Sequence, residues 1–161
     1  MIKPLEGVRV IDLSTYLAAP SVGRLMAEWG AEVIKVETMS GDPYRHIGPT
    51  MGMPITEKAN PNFDEQNAFK NFMALNLRTP EGMEILHKLL AGADVFLTNN
   101  RAKALEAMGL TWEKLHALYP RLVFAQVFGY GEFGPMKDTP GFDFTAFWAR
   151  SGLLVDLAPA G

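Results

Sequence analysis

The first apolar run, GVRVIDL at residues 7–13, is rich in β-branched side chains and is followed by Ser14, Thr15 and, a little later, Pro20. Such runs closed by turn formers favour strands, and proline fits the first turn of a helix, so the pattern predicts strand, loop and helix. Over residues 20–29, Val22, Leu25, Met26 and Trp29 recur at helical spacing, and Gly30 supplies the stop. EVIKVE at 32–37 reads as a second strand and MALNL at 73–77 as a third. Thr79 and Pro80 then open a helix to about Ala91, with Met83, Leu86, Leu89, Leu90 and Ala93 as its apolar stripe and Gly92 as its end. DVFLT at 94–98 is a buried strand, 102–108 a short helix closed by Gly109, 111–119 a helix capped by Thr111, and LVFAQVF at 122–128 the last strand.

Apolar strands alternating with amphipathic helices specify an α/β fold: a Rossmann-like, doubly wound parallel sheet with helices on both faces. No repeat or linker interrupts the pattern, which reads as one domain over 1–161. Residues 38–67 lack a sustained period and are dense in Gly and Pro. A connection this long inside a compact domain suits a loop that covers a ligand better than plain disorder.

Composition narrows the partners. A formal charge of −3 with scattered Lys and Arg provides no basic stripe for nucleic acid. The absence of cysteine excludes disulfides and thiolate metal sites. No basic leader or apolar run of about 20 residues is seen, so the expected setting is the cytoplasm, with no membrane contact.

Candidate chemistry is sparse. The loop after the first strand reads STYLAAPSVG, without G-x-G-x-x-G, and no P-loop motif occurs anywhere. That loop still lies at a strand's carboxyl end and before a helix, where α/β folds hold ligands and backbone N–H groups favour phosphate. His46, His87 and His116 lack metal-site spacing, so no metal is expected. His87 and His116 fall at the rims of apolar stripes as half-exposed surface residues, and His46 lies in the long loop facing solvent. GYGEFGP at 129–135 is a turn whose backbone can approach a ligand closely. FDFTAFW at 142–148 reads as a buried helix start, with Asp143 as a helix N-terminal charge.

Taken in order, PLEGVRVIDLS, AAP, GAEVIKVE, KNFMALNLRTPEGMEIL, ADVFLTNNRAKALEAMGL, PRLVFAQVFGYGEFGP and GFDFTAFWARSGL resemble the opening of the family III CoA-transferases, the formyl-CoA and carnitine CoA-transferase type. The wording of GYGEFGP, KDTPGFDFTAFWARSG and NNRAKALEAMG is most similar to the 2-hydroxyacyl-CoA transferases of amino-acid fermentation. The resemblance implies CoA, carried as acyl-CoA, moving to a small (2-hydroxy) carboxylic acid in an interlocked homodimer. It also implies that this chain is the amino-terminal part of the family's CoA-binding large domain, incomplete without the remainder.

Carried over by position, the implied CoA contacts are Leu17, Ala18, Thr38, Leu75, Arg78, Asn99, Asn100, Arg101 and Met108. Leu17 stands where formyl-CoA transferase has glutamine, and Thr38 where it has an adenine-stacking arginine. Asn99 matches the family asparagine, Asn100 and Arg101 replace the usual N-F-G or N-Y-R-P-G wording, and Ala107 stands where arginine is usual. The family's aspartate nucleophile follows the S-G-L block, here Ser151 to Leu153, and is expected after Gly161. Asp143 and Asp156 are therefore not expected to be catalytic. An α-methylacyl-CoA racemase is the first alternative, but its G-H-D motif reads Gly141, Phe142, Asp143, which leaves no proton-shuttling histidine. The second is a non-catalytic CoA-binding or dimerisation module.

Overall fold

In the computed structural model, which describes residues 2–56 and 58–157, five strands make one sheet. They are β1 (Arg9–Leu13), β2 (Glu32–Glu37), β3 (Asn71–Ala74), β4 (Val95–Thr98) and β5 (Val123–Gln126), in the order β3-β2-β1-β4-β5. Every pairing is parallel, and Ile11 stands between Ile34 and Phe96 in the shared register. The chain steps outward from β1 to β3, then returns past β1 to β4. That reversal creates a switch point between the carboxyl ends of β1 and β4.

The connecting helices are α1 (Ala18–Glu28), α2 (Pro61–Asn67), α3 (Pro80–Ala91), α4 (Ala102–Met108) and α5 (Trp112–Leu118). Side chains alternate across a strand, so each face collects every second residue. One face gathers Ile11, Leu13, Val36 and Phe96 against Leu86 and Leu90 of α3, Leu105 of α4, and Leu110 and Leu115. Asp12 and Lys35, of the opposite parity, turn to the other face, where Asp12 meets Lys70 and lies beside Gly23 of α1. The expected parallel α/β sheet is what forms.

Local chemistry explains the element ends. Thr79 caps α3 by accepting from the Gly82 N–H at 3.2 Å, with Pro80 at the first turn. Gly109 closes α4 at φ +72°, a left-handed conformation that glycine adopts without strain. Thr111 holds the N-cap position of α5, but its side chain caps no backbone N–H.

Three expectations need correction. The third strand is Asn71–Ala74, not 73–77, because pairing with β2 (Ile34 with Asn71, Glu37 with Ala74) decides its extent and an edge strand need not alternate. Residues 38–67 are not a bare loop: they contain 3₁₀ turns at Pro43–His46 and Gly48–Met51 and then α2, whose N-cap Asn60 accepts from the Phe63 N–H at 3.4 Å. Helices this short carry too few turns to display a period. The aromatic block at 142–148 is not buried, as shown below.

The chain divides into two compact units, the sheet-bearing one ending at Gln126 and a smaller one starting at Val127. The smaller unit holds a π-helical stretch, Asp143–Ala149, and α6 (Leu153–Leu157). Phe133 and Phe144 are 83% and 71% exposed, and Phe142 and Phe147 are also exposed. Gly129 and Gly141 touch backbone to backbone: a Cβ built on Gly129 would lie 2.5 Å from the Gly141 Cα.

Candidate functional site

The strand order brings most of the implied CoA contacts to one edge. Leu17 and Ala18 follow β1 and start α1, Thr38 follows β2, Leu75 and Arg78 follow β3, and Asn99, Asn100 and Arg101 follow β4. All stand at the carboxyl edge. With strands about 4.8 Å apart, four neighbouring strand ends span roughly 15 Å. Leu17, Ala18, Thr38, Arg78 and Arg101 are exposed there, whereas Leu75 is buried in the core and Met108, at the end of α4, packs against it. The Thr38 hydroxyl donates to the Gly41 carbonyl at 3.1 Å and lies 3.0 Å from the Ser40 hydroxyl.

Asn99 and Asn100 are engaged with the loop after β1. Asn99 accepts from the Thr15 N–H at 3.0 Å and donates to the Thr15 carbonyl at 2.8 Å. Asn100 donates through its side chain to the Leu13 carbonyl at 2.9 Å, and its own carbonyl accepts from Gln126 at 2.8 Å. Thr98 donates to the same Leu13 carbonyl at 2.8 Å.

Sequence reasoning missed a buried ionic network under this edge. Lys70 donates to Asp12 at 2.8 Å, to Asn67 at 2.8 Å and to the Pro20 carbonyl at 2.7 Å, and the Lys70 and Asp12 side chains are both 0% exposed. Ser14 also donates to Asp12. Lys35 donates to the Ser14 carbonyl at 2.7 Å and pairs with Asp42 at 2.9 Å, again with both side chains at 0%. Asp42 accepts from the Tyr44 N–H at 2.9 Å and the Tyr16 N–H at 3.2 Å, and its own N–H donates to Glu37 at 2.9 Å. Arg45 grips Glu37 with two bonds, at 2.8 and 2.7 Å, while its guanidinium lies 3.7 Å from the centroid of the Phe63 ring. Lysines inside a strand and next to one read as surface residues in sequence, and their partners lie up to 58 positions away. The available signal was Asp12 and Lys35, charged residues flanked on both sides by apolar strand positions.

The electrostatics follow from burial. Burial pushes the Glu37 carboxyl up, but the Arg45 hydrogen bonds, the Asp42 N–H and the charges of Arg45 and Lys35 outweigh it and hold the group below its ordinary value. Desolvation pulls the Lys70 ammonium down, against the opposing attraction of Asp12. The Arg45 guanidinium, bonded to Glu37, moves up.

The histidines lie away from this edge network or on its surface. His46 is exposed, His87 is half-buried with Nδ1 3.0 Å from the Tyr119 hydroxyl, and exposed His116 stacks on Trp112 with centroids 4.9 Å apart. Among the described residues no group of three His, Cys, Asp or Glu is placed to hold a metal. Among them, too, no helix is long and apolar enough to cross a membrane.

Known proteins with this pattern agree with one another. Over 157 residues the chain is 48% identical to (R)-2-hydroxy-4-methylpentanoate CoA-transferase of Clostridioides difficile, covering 98% of this chain and 39% of that protein. It is 52% identical over 156 residues to cinnamoyl-CoA:phenyllactate CoA-transferase of Clostridium sporogenes, covering 97% and 38%. The chain thus spans about two fifths of the length of these relatives. A crystal structure of a CAIB/BAIF family protein from Brucella suis superposes with a TM-score of 0.86 at 34% identity, over 94% of this chain and 40% of that one. The sequence model of CoA-transferase family III matches residues 5–157, nearly the whole chain, and this chain belongs to that family.

Proposed function

We propose that this chain is the CoA-binding α/β layer of an enzyme that moves CoA from an acyl-CoA to a 2-hydroxy carboxylic acid. The observation that carries the reading is the 48% and 52% identity, over almost the entire chain, to two CoA-transferases whose names carry 2-hydroxy acids. Acyl-CoA lies along the carboxyl edge, where Leu17, Ala18, Thr38 and Asn99 to Arg101 follow neighbouring strands and Arg78 supplies a cation for a phosphate group.

The chemistry suits a carboxylate, ionised at neutral pH with an ordinary pKa of about 4 and needing no separate base. Its oxygen attacks the thioester carbonyl and expels CoA thiolate, giving a mixed anhydride. The thiolate then attacks the aspartyl carbonyl, releasing the first acid and leaving an aspartyl-CoA thioester. The acceptor acid's carboxylate attacks that thioester, and the returning thiolate completes the exchange. In this reading the aspartate lies beyond residue 161, and the whole protein is a cytoplasmic homodimer. Val22 and Leu25 on α1 and the 52% exposed Trp29 at its carboxyl cap are apolar surface suited to being covered by the remaining chain or a second copy.

Transfer assays on the whole protein, with a panel of acyl-CoAs and 2-hydroxy acids, test the activity; no transfer to any hydroxy acid would reject it. Hydroxylamine trapping with acyl-CoA tests the placement of the nucleophile. The 161-residue chain is expected to yield no hydroxamate, and one mapping to Asp143 or Asp156 would overturn that placement.

A further inference from the structure

Between Leu13 and Tyr16 the backbone is held by side chains from both flanking strands and the segments after them. The Ser14 carbonyl accepts from Lys35, the Tyr16 N–H donates to Asp42, and Thr15 exchanges both of its backbone bonds with the Asn99 amide. Asn99 thus pairs with Thr15 much as an opposing strand residue would, beyond the last register pair of Leu13 with Thr98. The loop itself is bent: Tyr16 has φ +65°, a left-handed conformation that strains a tyrosine and persists only where its surroundings over-determine it. Leu17 and Ala18 come next and begin α1 without a side-chain cap. Lys35 and Asp42, with side chains at 0% exposure, reach the loop through the Ser14 carbonyl and the Tyr16 N–H.

We infer that Asn99, Lys35 and Asp42 are positioning residues that hold the loop after β1 in its bent form, so that Asn99 acts on acyl-CoA through Thr15 and not by touching it. The inference rests on the reading of the carboxyl edge as the CoA site. Fixing a loop before the ligand arrives removes an ordering cost from binding, so its loss appears mainly in KM. The two arms grip the loop from opposite sides, β4 and β2, and a shared loop makes their effects interdependent.

The test uses the whole enzyme in three forms: Asn99→Ala, the charge-free pair Lys35→Met with Asp42→Asn, and all three changes together. The pair leaves no buried charge without a partner, which keeps the fold accessible. The Asn99→Ala variant is expected to raise KM for acyl-CoA about tenfold, the order of one lost buried hydrogen-bonding group, with a smaller effect on kcat. Hydrogen exchange at the Thr15 and Tyr16 amides should quicken in both variants. The combined form should raise KM little beyond the larger of the two effects. Asn99→Asp, which keeps an acceptor for the Thr15 N–H but sets a carboxylate oxygen against the Thr15 carbonyl, should raise KM at least as far as Asn99→Ala. A combined rise equal to the product of the two separate rises would show that Asn99 acts independently of the shared loop and would overturn the inference. Unchanged exchange, or faster exchange with an unchanged KM, would equally overturn the inference. A wild-type enzyme that transfers no CoA sinks the functional reading instead, and the exchange measurement still decides whether the side chains hold the loop.

Discussion

On one face of the sheet Ile11, Leu13, Val36 and Phe96 meet Leu86, Leu90, Leu105 and Leu115; on the other, Asp12 and Lys35 take strand positions and meet Lys70 and Asp42. Both sets are buried, yet they are held differently. The apolar face gains from area and shape, which are non-directional and tolerate exchange among residues of similar volume. The ionic face depends on particular partners, because desolvating a charge is costly unless its bonds are completed. The second face buries apolar Val10, Val33 and Leu97 as well, so the difference lies in what the charged residues add: they tie segments 42–45 and 67–70 to the strand ends that form the candidate site.

The sharpest way to break this comparison is to leave one charge alone. Lys70→Met should cost about 3–5 kcal/mol, since Asp12 stays buried without its partner. Chemical denaturation measures it, and adding Asp12→Leu should recover most of the loss; a mild single variant would mean the pair is not isolated from solvent. On the apolar face Leu90→Ala should cost about 2–5 kcal/mol through a cavity, whereas Leu90→Met should cost less than about 1.5 kcal/mol. Equal losses for the two would argue against a shape-tolerant face.

Gly23→Ala refines the contrast. Alanine usually favours a helix by nearly 1 kcal/mol, but here its Cβ would lie 2.8 Å from an Asp12 oxygen and 3.2 Å from Lys70. The net expectation is a loss of about 1–3 kcal/mol in thermal or chemical unfolding, and a gain would mean that the network yields easily. The smallest effect is electrostatic. Glu37, held below its ordinary value, contributes stability that is present above the unfolded carboxylate pKa and disappears as pH falls through the lower folded value. Glu37→Gln should flatten that acid limb of the stability profile, and an unaltered limb would assign it to other groups.

This contrast also marks what was legible in the sequence. The apolar face was readable because its residues recur at 3.6 or 2: the helices over 80–91 and 102–108 and the strand over 32–37 have the ends their patterns implied. Edge strand β3 took its extent from pairing with β2, and α2 was too short to show a period. At 142–148 the run of aromatics signalled burial, but Phe142, Phe144 and Phe147 remain more than half exposed. Of the site, the positions after strands could be placed at one edge from topology alone. The partners of Lys35 and Lys70 could not: the apolar neighbours of Lys35 hint at burial, but nothing local names the distant carboxylate that each lysine meets. Nor could the inward course of Leu75, whose side chain belongs to the core.

The contact between Gly129 and Gly141 carries a consequence for engineering. Their backbones meet where no side chain fits, since a Cβ on Gly141 would sit 2.4 Å from the Gly129 Cα. Together they form the neck of a lasso closed without a covalent bond. Lengthening such a noose adds only about 0.6 kcal/mol per doubling of its residues. A peptide tag inserted near Lys137 should therefore be carried with little loss, whereas even one methyl group at either end of the neck should force the noose open.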